Sequence, residues 1–233
     1  MKIRVIIPVS TEKWTDAVAE AAKRSLRPDT EVEIMHLQHG PEAIQSEYNE
    51  ARAAGHVLPL AKGAGGAGCQ AVIIWCFSDP GLAAAREITR LPVLGIGETS
   101  QVFALMTADR IGIITTLDHS VNRIKRKIAA RGLTARIPVV RPLNIPVLEY
   151  DNDEKVSAGI LETARLMMET DRVEALILGC GALVGMRERL EEAFALPVIE
   201  PGPLTLKQAE VMVDLGLSHS KRSFMEPLPV VEH

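Results

Sequence analysis

Short runs rich in Val, Ile and Leu alternate along the chain with longer amphipathic or Ala-rich segments, the pattern of βαβ units on a parallel sheet. The pattern predicts strands at 2–7, 31–36, 71–76, 92–95, 110–115, 135–140, 173–178 and 197–199. Helices are predicted over 14–25, 42–54, 80–89, 98–107, 118–131, 153–169, 186–194 and 204–217.

One of these strands is written twice. Val72-Ile73-Ile74-Trp75-Cys76-Phe77-Ser78-Asp79-Pro80-Gly81 is an apolar strand that ends on cysteine and turns into a helix start, and Leu176-Ile177-Leu178-Gly179-Cys180-Gly181 repeats it. Each copy leads through a helical segment to Leu-Pro-Val, which begins at Leu91, 15 residues after Cys76, and at Leu196, 16 residues after Cys180. Cys76 and Cys180 lie 104 residues apart, as do Thr30-Glu31-Val32-Glu33-Ile34 and Thr134-Ala135-Arg136-Ile137-Pro138. Arg4-Val5-Ile6-Ile7 and Arg110-Ile111-Gly112-Ile113-Ile114 open the two halves alike. The expected fold is therefore α/β, with two pseudo-symmetric lobes over 1–97 and 110–202, each a four-stranded parallel sheet flanked by helices. Residues 98–109 are expected to cross between them and the helix within 203–217 to pack back on the first lobe. The tail, 218–233, with Pro227 and Pro229, is expected to be irregular.

In open parallel sheets ligands bind beyond the carboxyl ends of the strands. Here those ends are Pro8-Val9-Ser10-Thr11, Cys76-Phe77-Ser78, Thr115-Thr116 and Cys180-Gly181. A pseudo-twofold makes the two sets face each other across a cleft with one thiol on either wall. Two facing acid/base groups can take a proton from one face of a carbon acid and return one to the other face, which inverts the centre. A thiol titrates at about 8.5, so a shift of about a unit or two suits it to this work. Asp79-Pro80 reads as an N-cap and first-turn pair whose helix N–H groups point back at Cys76, although the Asp79 charge opposes that field. Gly181-Ala182-Leu183-Val184-Gly185 permits close backbone approach, and Thr115 and Thr116 either cap the helix near Asp118 or bind a ligand. Ser10 and Thr11 stand in the matching place of the first half.

Composition narrows the field. At 233 residues, 47% hydrophobic content supports a sizeable core, and a formal charge of -4 gives no nucleic-acid footprint. The densest basic run, Arg123, Lys125, Arg126, Lys127 and Arg131, reads as a solvated helix face. The N-terminus fits a first strand instead of a secretory signal, and no apolar run reaches membrane-spanning length. Three cysteines in that context imply reduced thiols and a cytoplasmic protein, with Cys69 structural. Gly63-Ala64-Gly65-Gly66-Ala67-Gly68 matches G-x-G-x-x-G in letters only, because it follows a helix and precedes a strand. His36 and His39 lack metal-site spacing, Gly-x-Ser-x-Gly is absent, and Met167, Met168 and Met186 read as core.

Cys76-Phe77-Ser78-Asp79-Pro80-Gly81-Leu82, Ala85-Arg86-Glu87 and Pro92-Val93-Leu94-Gly95-Ile96-Gly97-Glu98 together resemble the first cysteine motif of the Asp/Glu/hydantoin racemase family, in particular its hydantoin and allantoin racemase branch. Leu178-Gly179-Cys180-Gly181 and Ile113-Ile114-Thr115-Thr116 resemble the family as well, so the likeness spans about 1–217. It implies a cofactor-independent, homo-oligomeric enzyme acting on a small molecule, with Cys76 and Cys180 as the acid/base pair. Ser10, Thr11, Phe77, Ser78, Thr115, Thr116 and Gly181 would lie close to the substrate. Two departures stand out: Ile7-Pro8-Val9-Ser10-Thr11 lacks the branch's asparagines, and the turn from Gly181 to Met186 is longer than its Ala-Gly-Met. Three readings stay open: inversion of a hydantoin-, allantoin- or amino-acid-like carbon acid, decarboxylation of a substituted malonate or isomerisation of maleate, and a two-lobed binding protein with inert thiols.

Overall fold

Strands such as Ala71–Ile74 and Ala175–Leu178, apolar at every position, need cover on both faces, and the chain provides it twice. The computed structural model describes residues 1–150 and 153–228. In its first half β1 (Lys2–Ile7), β2 (Glu31–His36), β3 (Ala71–Ile74) and β4 (Val93–Gly95) form a parallel sheet in the order β2-β1-β3-β4. In its second half β5 (Ile111–Thr115), β6 (Val139–Pro142), β7 (Ala175–Leu178) and β8 (Val198–Ile199) repeat it as β6-β5-β7-β8. The helices α1 (Thr15–Ser25), α2 (Glu47–Lys62), α3 (Leu82–Ile88) and α4 (Ile96–Ala104) belong to the first half of the sequence. They are followed by α5 (Asp118–Ala130), α6 (Asp153–Glu169), α7 (Arg187–Phe194) and α8 (Pro201–Asp214). From its first strand each half runs outward one way to the second strand and the other way to the third. The crevice where an open sheet takes its ligand therefore falls beyond β1 and β3, and beyond β5 and β7.

Several expected elements shift, and α4 lies two to three residues earlier than 98–107; for four others the local reason is visible. β6 begins at Val139, not 135, because the Leu133 carbonyl accepts from the N–H groups of Arg136 (3.0 Å) and Ile137 (2.9 Å) in a turn that closes α5. Pro138 then has no N–H to offer a ladder, so the 104-residue spacing of Thr30 and Thr134 is not a spacing of strands. α2 starts late because the Ser46 hydroxyl accepts from Asn49 N–H at 3.1 Å as its N-cap, and it continues through Pro59 to Lys62. α8 starts early, with Pro201 in its first turn, and the chain leaves it at Gly216, whose φ is 62°. β3 stops at Ile74, with the Trp75 N–H making one last bond to the Ile6 carbonyl at 2.8 Å, so Cys76 is the first residue beyond the ladder.

The two sheets are joined through the residues on either side of Cys76. Trp75 is buried in the first core with Ile3, Val5, Ile7 and Ile96, and Leu206 and Ala209 of α8 belong to the same cluster. Its indole N–H donates to the Gly181 carbonyl of the second half at 3.0 Å. Phe77, two residues on, is buried in the second core with Ile113, Ile124 and Ile177. α8 thus lies against α1, α4 and β3. Lys221 of the tail donates to the carbonyls of Arg86 (2.7 Å), Glu87 (2.9 Å) and Thr89 (2.7 Å) at the end of α3, and His219 Nε2 accepts from Val93 N–H at 2.8 Å. The described tail is irregular yet anchored, and Pro229 lies outside the described residues. No described helix is long and apolar enough to cross a membrane.

Gly202 tests how tightly Trp75 is held. A Cβ there would stand 2.2 Å from Trp75 Cζ2 and 2.3 Å from Cη2, and a buried indole has nowhere to go. Gly202→Ala is expected to cost about 1–3 kcal/mol in urea unfolding, the range for overpacking a rigid core. Gly66→Ala, where a Cβ would meet nothing within 4 Å, should unfold at the wild-type midpoint.

Candidate active site

The two cysteine turns are the same piece of local structure. Trp75 N–H bonds the Ile6 carbonyl of the central strand β1 at 2.8 Å, and Gly179 N–H bonds the Ile114 carbonyl of β5 at 2.7 Å. One residue later comes the cysteine, whose carbonyl accepts from the N–H three residues on: Asp79 to Cys76 at 2.9 Å, Leu183 to Cys180 at 3.2 Å. Gly179 is glycine because a Cβ would come within 2.7 Å of the Ile114 carbonyl oxygen and of Ile113.

Both turns open on one cavity of about 80 Å³. Cys76, Phe77 and Ser78 line it from the first half, and Thr115, Thr116, Cys180 and Gly181 from the second. Of the residues singled out by sequence, Ser10 and Thr11 stand outside this wall, and Pro8 and Val9 occupy the matching place. Their polar groups are engaged in their own loop: Ser10 donates from N–H to the Pro41 carbonyl at 3.0 Å and from its hydroxyl to Gly40 at 3.4 Å, and the Thr11 hydroxyl accepts from Lys13 N–H at 3.3 Å. The Thr116 hydroxyl meets Ser120 at 3.5 Å and does not cap α5, which has no side-chain cap. Gly181 faces Trp75 and Ile96, so its carbonyl serves the indole. Cys69 lies away from the cavity, buried in the core between α2 and β3.

Asp79 does something other than cap the helix that follows it. α3 begins only at Leu82, behind Gly81 at φ 74°, and Asp79 itself is left-handed at φ 51°. That backbone turns its buried carboxylate toward α4, where it accepts from the N–H groups of Gly97 (2.8 Å) and Glu98 (2.7 Å) and pairs with Arg131 at 3.2 Å. The Gly-Ile-Gly of the motif makes room for this. A Cβ on Gly95 would lie 2.3 Å from the Asp79 carboxylate, and one on Gly97 would lie 2.0 Å from the Phe77 carbonyl oxygen. Burial pushes the Asp79 carboxyl up to about 6, against the pull of Arg131, Lys127 and the two N–H groups.

The thiols are therefore set by burial and not by a helix N-terminus. Burial raises Cys76, with the Ser78 hydroxyl at 3.3 Å, the Ser78 N–H and the Arg123 charge working the other way. Cys180 is pushed up to about 12 by burial and by the charge of Cys76, against N–H bonds from Ala182 and Leu183 and the Arg123 charge. Both are protonated at neutral pH.

Sequence reasoning missed part of the wall. The basic run of α5 is not one solvated face: Arg123 is buried in the cavity wall, Lys127 donates to the Ser78 carbonyl and to Glu50, and Arg131 holds Asp79. Lys125 and Arg126 alone are exposed as expected. The signal was the spacing, since 123, 127 and 131 share one helix face. Trp14, Ile44 and Val147, which make the rest of the wall apolar, lie outside any strand or α-helix and carry no motif. Tyr150 has a buried hydroxyl without a partner, and burial and the neighbouring Cys180 push it up.

The Asp/Glu/Hydantoin racemase family profile matches residues 3–209. A hydantoin racemase of Pseudomonas sp. (strain NS671) is 34% identical over 222 residues, covering 95% of this chain and 89% of the relative. The allantoin racemase of Klebsiella pneumoniae superposes with a TM-score of 0.94 at 28% identity, covering 100% of this chain and 96% of that one. Arylmalonate decarboxylase shares the fold at 18% identity and a TM-score of 0.65, covering 91% and 92% of the two chains. With the match running through both sheets and both cysteine turns, the chain belongs to the Asp/Glu/hydantoin racemase family and is an isomerase.

Proposed function

We propose that the protein inverts a carbon acid beside the carbonyl of a hydantoin- or allantoin-like ring, with Cys76 and Cys180 as the two bases and no cofactor. The observation that carries this reading is a pair of half-buried thiols in structurally equivalent turns on one cavity. The thiolate on one wall removes the proton, and the C–H electron pair moves onto the carbonyl as an enolate. The thiol on the opposite wall then delivers its proton to the other face, and the electron pair returns to carbon. The product leaves with the roles of the two sulfurs exchanged, ready for the opposite enantiomer. Apolar side chains of Val9, Trp14, Ile44 and Val147 suit a ring whose substituent is apolar.

Thiol protons exchange with solvent, so a single enantiomer of a 5-substituted hydantoin incubated in D2O should lose optical rotation while taking up deuterium at the inverted centre. Cys76→Ser and Cys180→Ser should each lower racemisation by about 10²–10⁴-fold, the usual worth of a positioned acid/base group. Retention of turnover in one of the two variants would instead indicate one-sided protonation, as in a decarboxylase, and substituted malonates are then the substrates to assay.

The pH dependence follows from the burial of the thiols. A raised pKa makes thiolate scarce at pH 7, and the thiolate fraction grows about tenfold per unit until the first thiol titrates. kcat/KM should climb steadily from pH 7 to pH 9 and show no falling limb there, because Cys180 stays protonated up to about 12. A bell centred below pH 7 would contradict the assignment.

A further inference from the structure

Among the described residues that line the cavity, Arg123 carries the only formal charge, and the reading above leaves it without a role. It is 6% exposed, and its Nε–H is buried with no hydrogen-bond partner. Its remaining contacts are long: Nη1 to the Ser46 carbonyl at 3.2 Å and to Glu50 at 3.5 Å, Nη2 to the Ser120 hydroxyl at 3.3 Å. Ser120 in turn meets Thr116 of the cavity wall, so a short polar chain runs from the guanidinium to the site.

We propose that Arg123 is a positioning residue of the site, whose incompletely neutralised guanidinium supplies the positive charge that favours thiolate on either wall. It does so while holding the start of α2 against the second half.

The charges packed around Arg123 support this. From α2, Glu50 faces both Arg123 and Lys127 and lies closer to Lys127, while Glu47 pairs with Arg126. From the Cys76 turn, Asp79 is taken by Arg131, and from α4, Glu98 is taken by Arg86 and Arg131. In this cluster Arg86, Arg123, Lys127 and Arg131 meet Glu50, Asp79 and Glu98, which leaves one positive charge uncompensated. Of the four cations Arg123 has the longest nearest ion pair, 3.5 Å to Glu50, and an unclaimed donor, so the surplus rests on the side chain that borders the cavity. In a water-poor site such a charge acts on an anion much more strongly than it would in solvent. It also acts on both sulfurs, as the direction of its effect on Cys76 and Cys180 indicates. A base that alternates between two walls needs a charge that serves both, and the Cys76 turn has no helix N-terminus to provide it.

The inference rests on the two-thiol reading for its meaning, but its test uses the thiols alone. Alkylation by iodoacetamide, with the modified residue mapped by mass spectrometry, is followed from pH 6 to pH 10 in the full chain. Arg123→Gln should slow alkylation of Cys76 and Cys180 about tenfold at pH 8 and move the rise of rate with pH to the alkaline side by about one unit, the lower end for loss of a nearby charge. Arg123→Lys should recover most of the wild-type rate. Glu50→Gln, which removes the competing carboxylate, should shift the rise the other way and speed alkylation at pH 8, which provides a second reading if Arg123→Gln folds poorly. A wild-type pH dependence in both Arg123→Gln and Glu50→Gln would overturn the proposal and leave Arg123 as a strut. If the wild type racemises nothing on a broad panel while these shifts appear, the proposed reaction fails and the role of Arg123 stands.

Discussion

One hydrogen bond fixes the geometry on which the rest depends: the Trp75 indole N–H to the Gly181 carbonyl at 3.0 Å. It ties the residue before Cys76 to the residue after Cys180, so the two walls are registered by a contact one residue from each sulfur. A buried hydrogen bond of this kind contributes about 0.5–1.5 kcal/mol net, and leaving its two groups unpaired costs more. The ring adds the larger share by filling the space over Gly181 and Gly202, and both must be bare for it to lie there. Phe77 completes the clamp from the other side of Cys76 by burying its ring in the second core. Cys76 thus hangs between two side chains that belong to different cores, and it cannot shift without disturbing one of them.

The same enclosure sets an electrostatic conflict. Burial strengthens the hold of any donor or cation on an enolate, but it also suppresses the thiolate that the proposed inversion would have to form first. The chain does not resolve the conflict with a helix N-terminus aimed at sulfur. It routes the one acidic group of the Cys76 turn, Asp79, away to the start of α4, where two N–H groups and Arg131 neutralise it. It then places Arg123, Lys127 and Arg131 along one face of α5, each touching a different part of the first half: Ser46 with Glu50, Ser78, and Asp79. The acidic residue of the Cys76 turn becomes an anchor, and the helix that looked solvated becomes a link between the two halves.

This division explains what could be read from sequence. The sheets were legible because β3 and β7 are apolar throughout and the other strands carry short runs of Val, Ile and Leu, and the site because a parallel sheet directs ligands to strand ends at a switch point, where both cysteines stand. What was not legible depends on partners distant in the chain. Nothing local says that Asp79 would adopt φ 51° and bond N–H groups 18 and 19 residues on, although the paired glycines at 95 and 97 were its trace. Ser10 and Thr11 were placed by analogy of position, but Pro8 and Val9 reach the wall directly after β1, and Ser10 turns instead to the loop at Gly40 and Pro41. The slip of β6 came from reading similar letters as a repeated strand where one copy closes a helix. Ile44 and Val147 are ordinary apolar residues in loops, and only the folded chain reveals that they face a cavity.

The two walls, equivalent in their turns, are held differently. The Cys76 side is pinned by the α5 cations, whereas beyond Cys180 the longer turn ends with Glu200 accepting from Gly185 (2.7 Å), Met186 (2.9 Å) and Arg187 (3.1 Å) at the start of α7. Arg123 lies on the second half but reaches into the first, so the environments of the two sulfurs cannot be identical. For the proposed inversion of a single centre this inequality is constrained by thermodynamics. Enantiomers have equal free energy in water, so the equilibrium constant is unity and kcat/KM must be the same in both directions, however different the two thiols are. Unequal walls can change only how that ratio is divided, with tighter binding and slower turnover for one hand and looser binding and faster turnover for the other. A side chain such as Arg123 that biased one sulfur alone would alter that division and would also lower the shared ratio by stabilising one protonation state of the free enzyme. In the role proposed for Arg123, a charge in the cavity wall that serves both sulfurs avoids that cost.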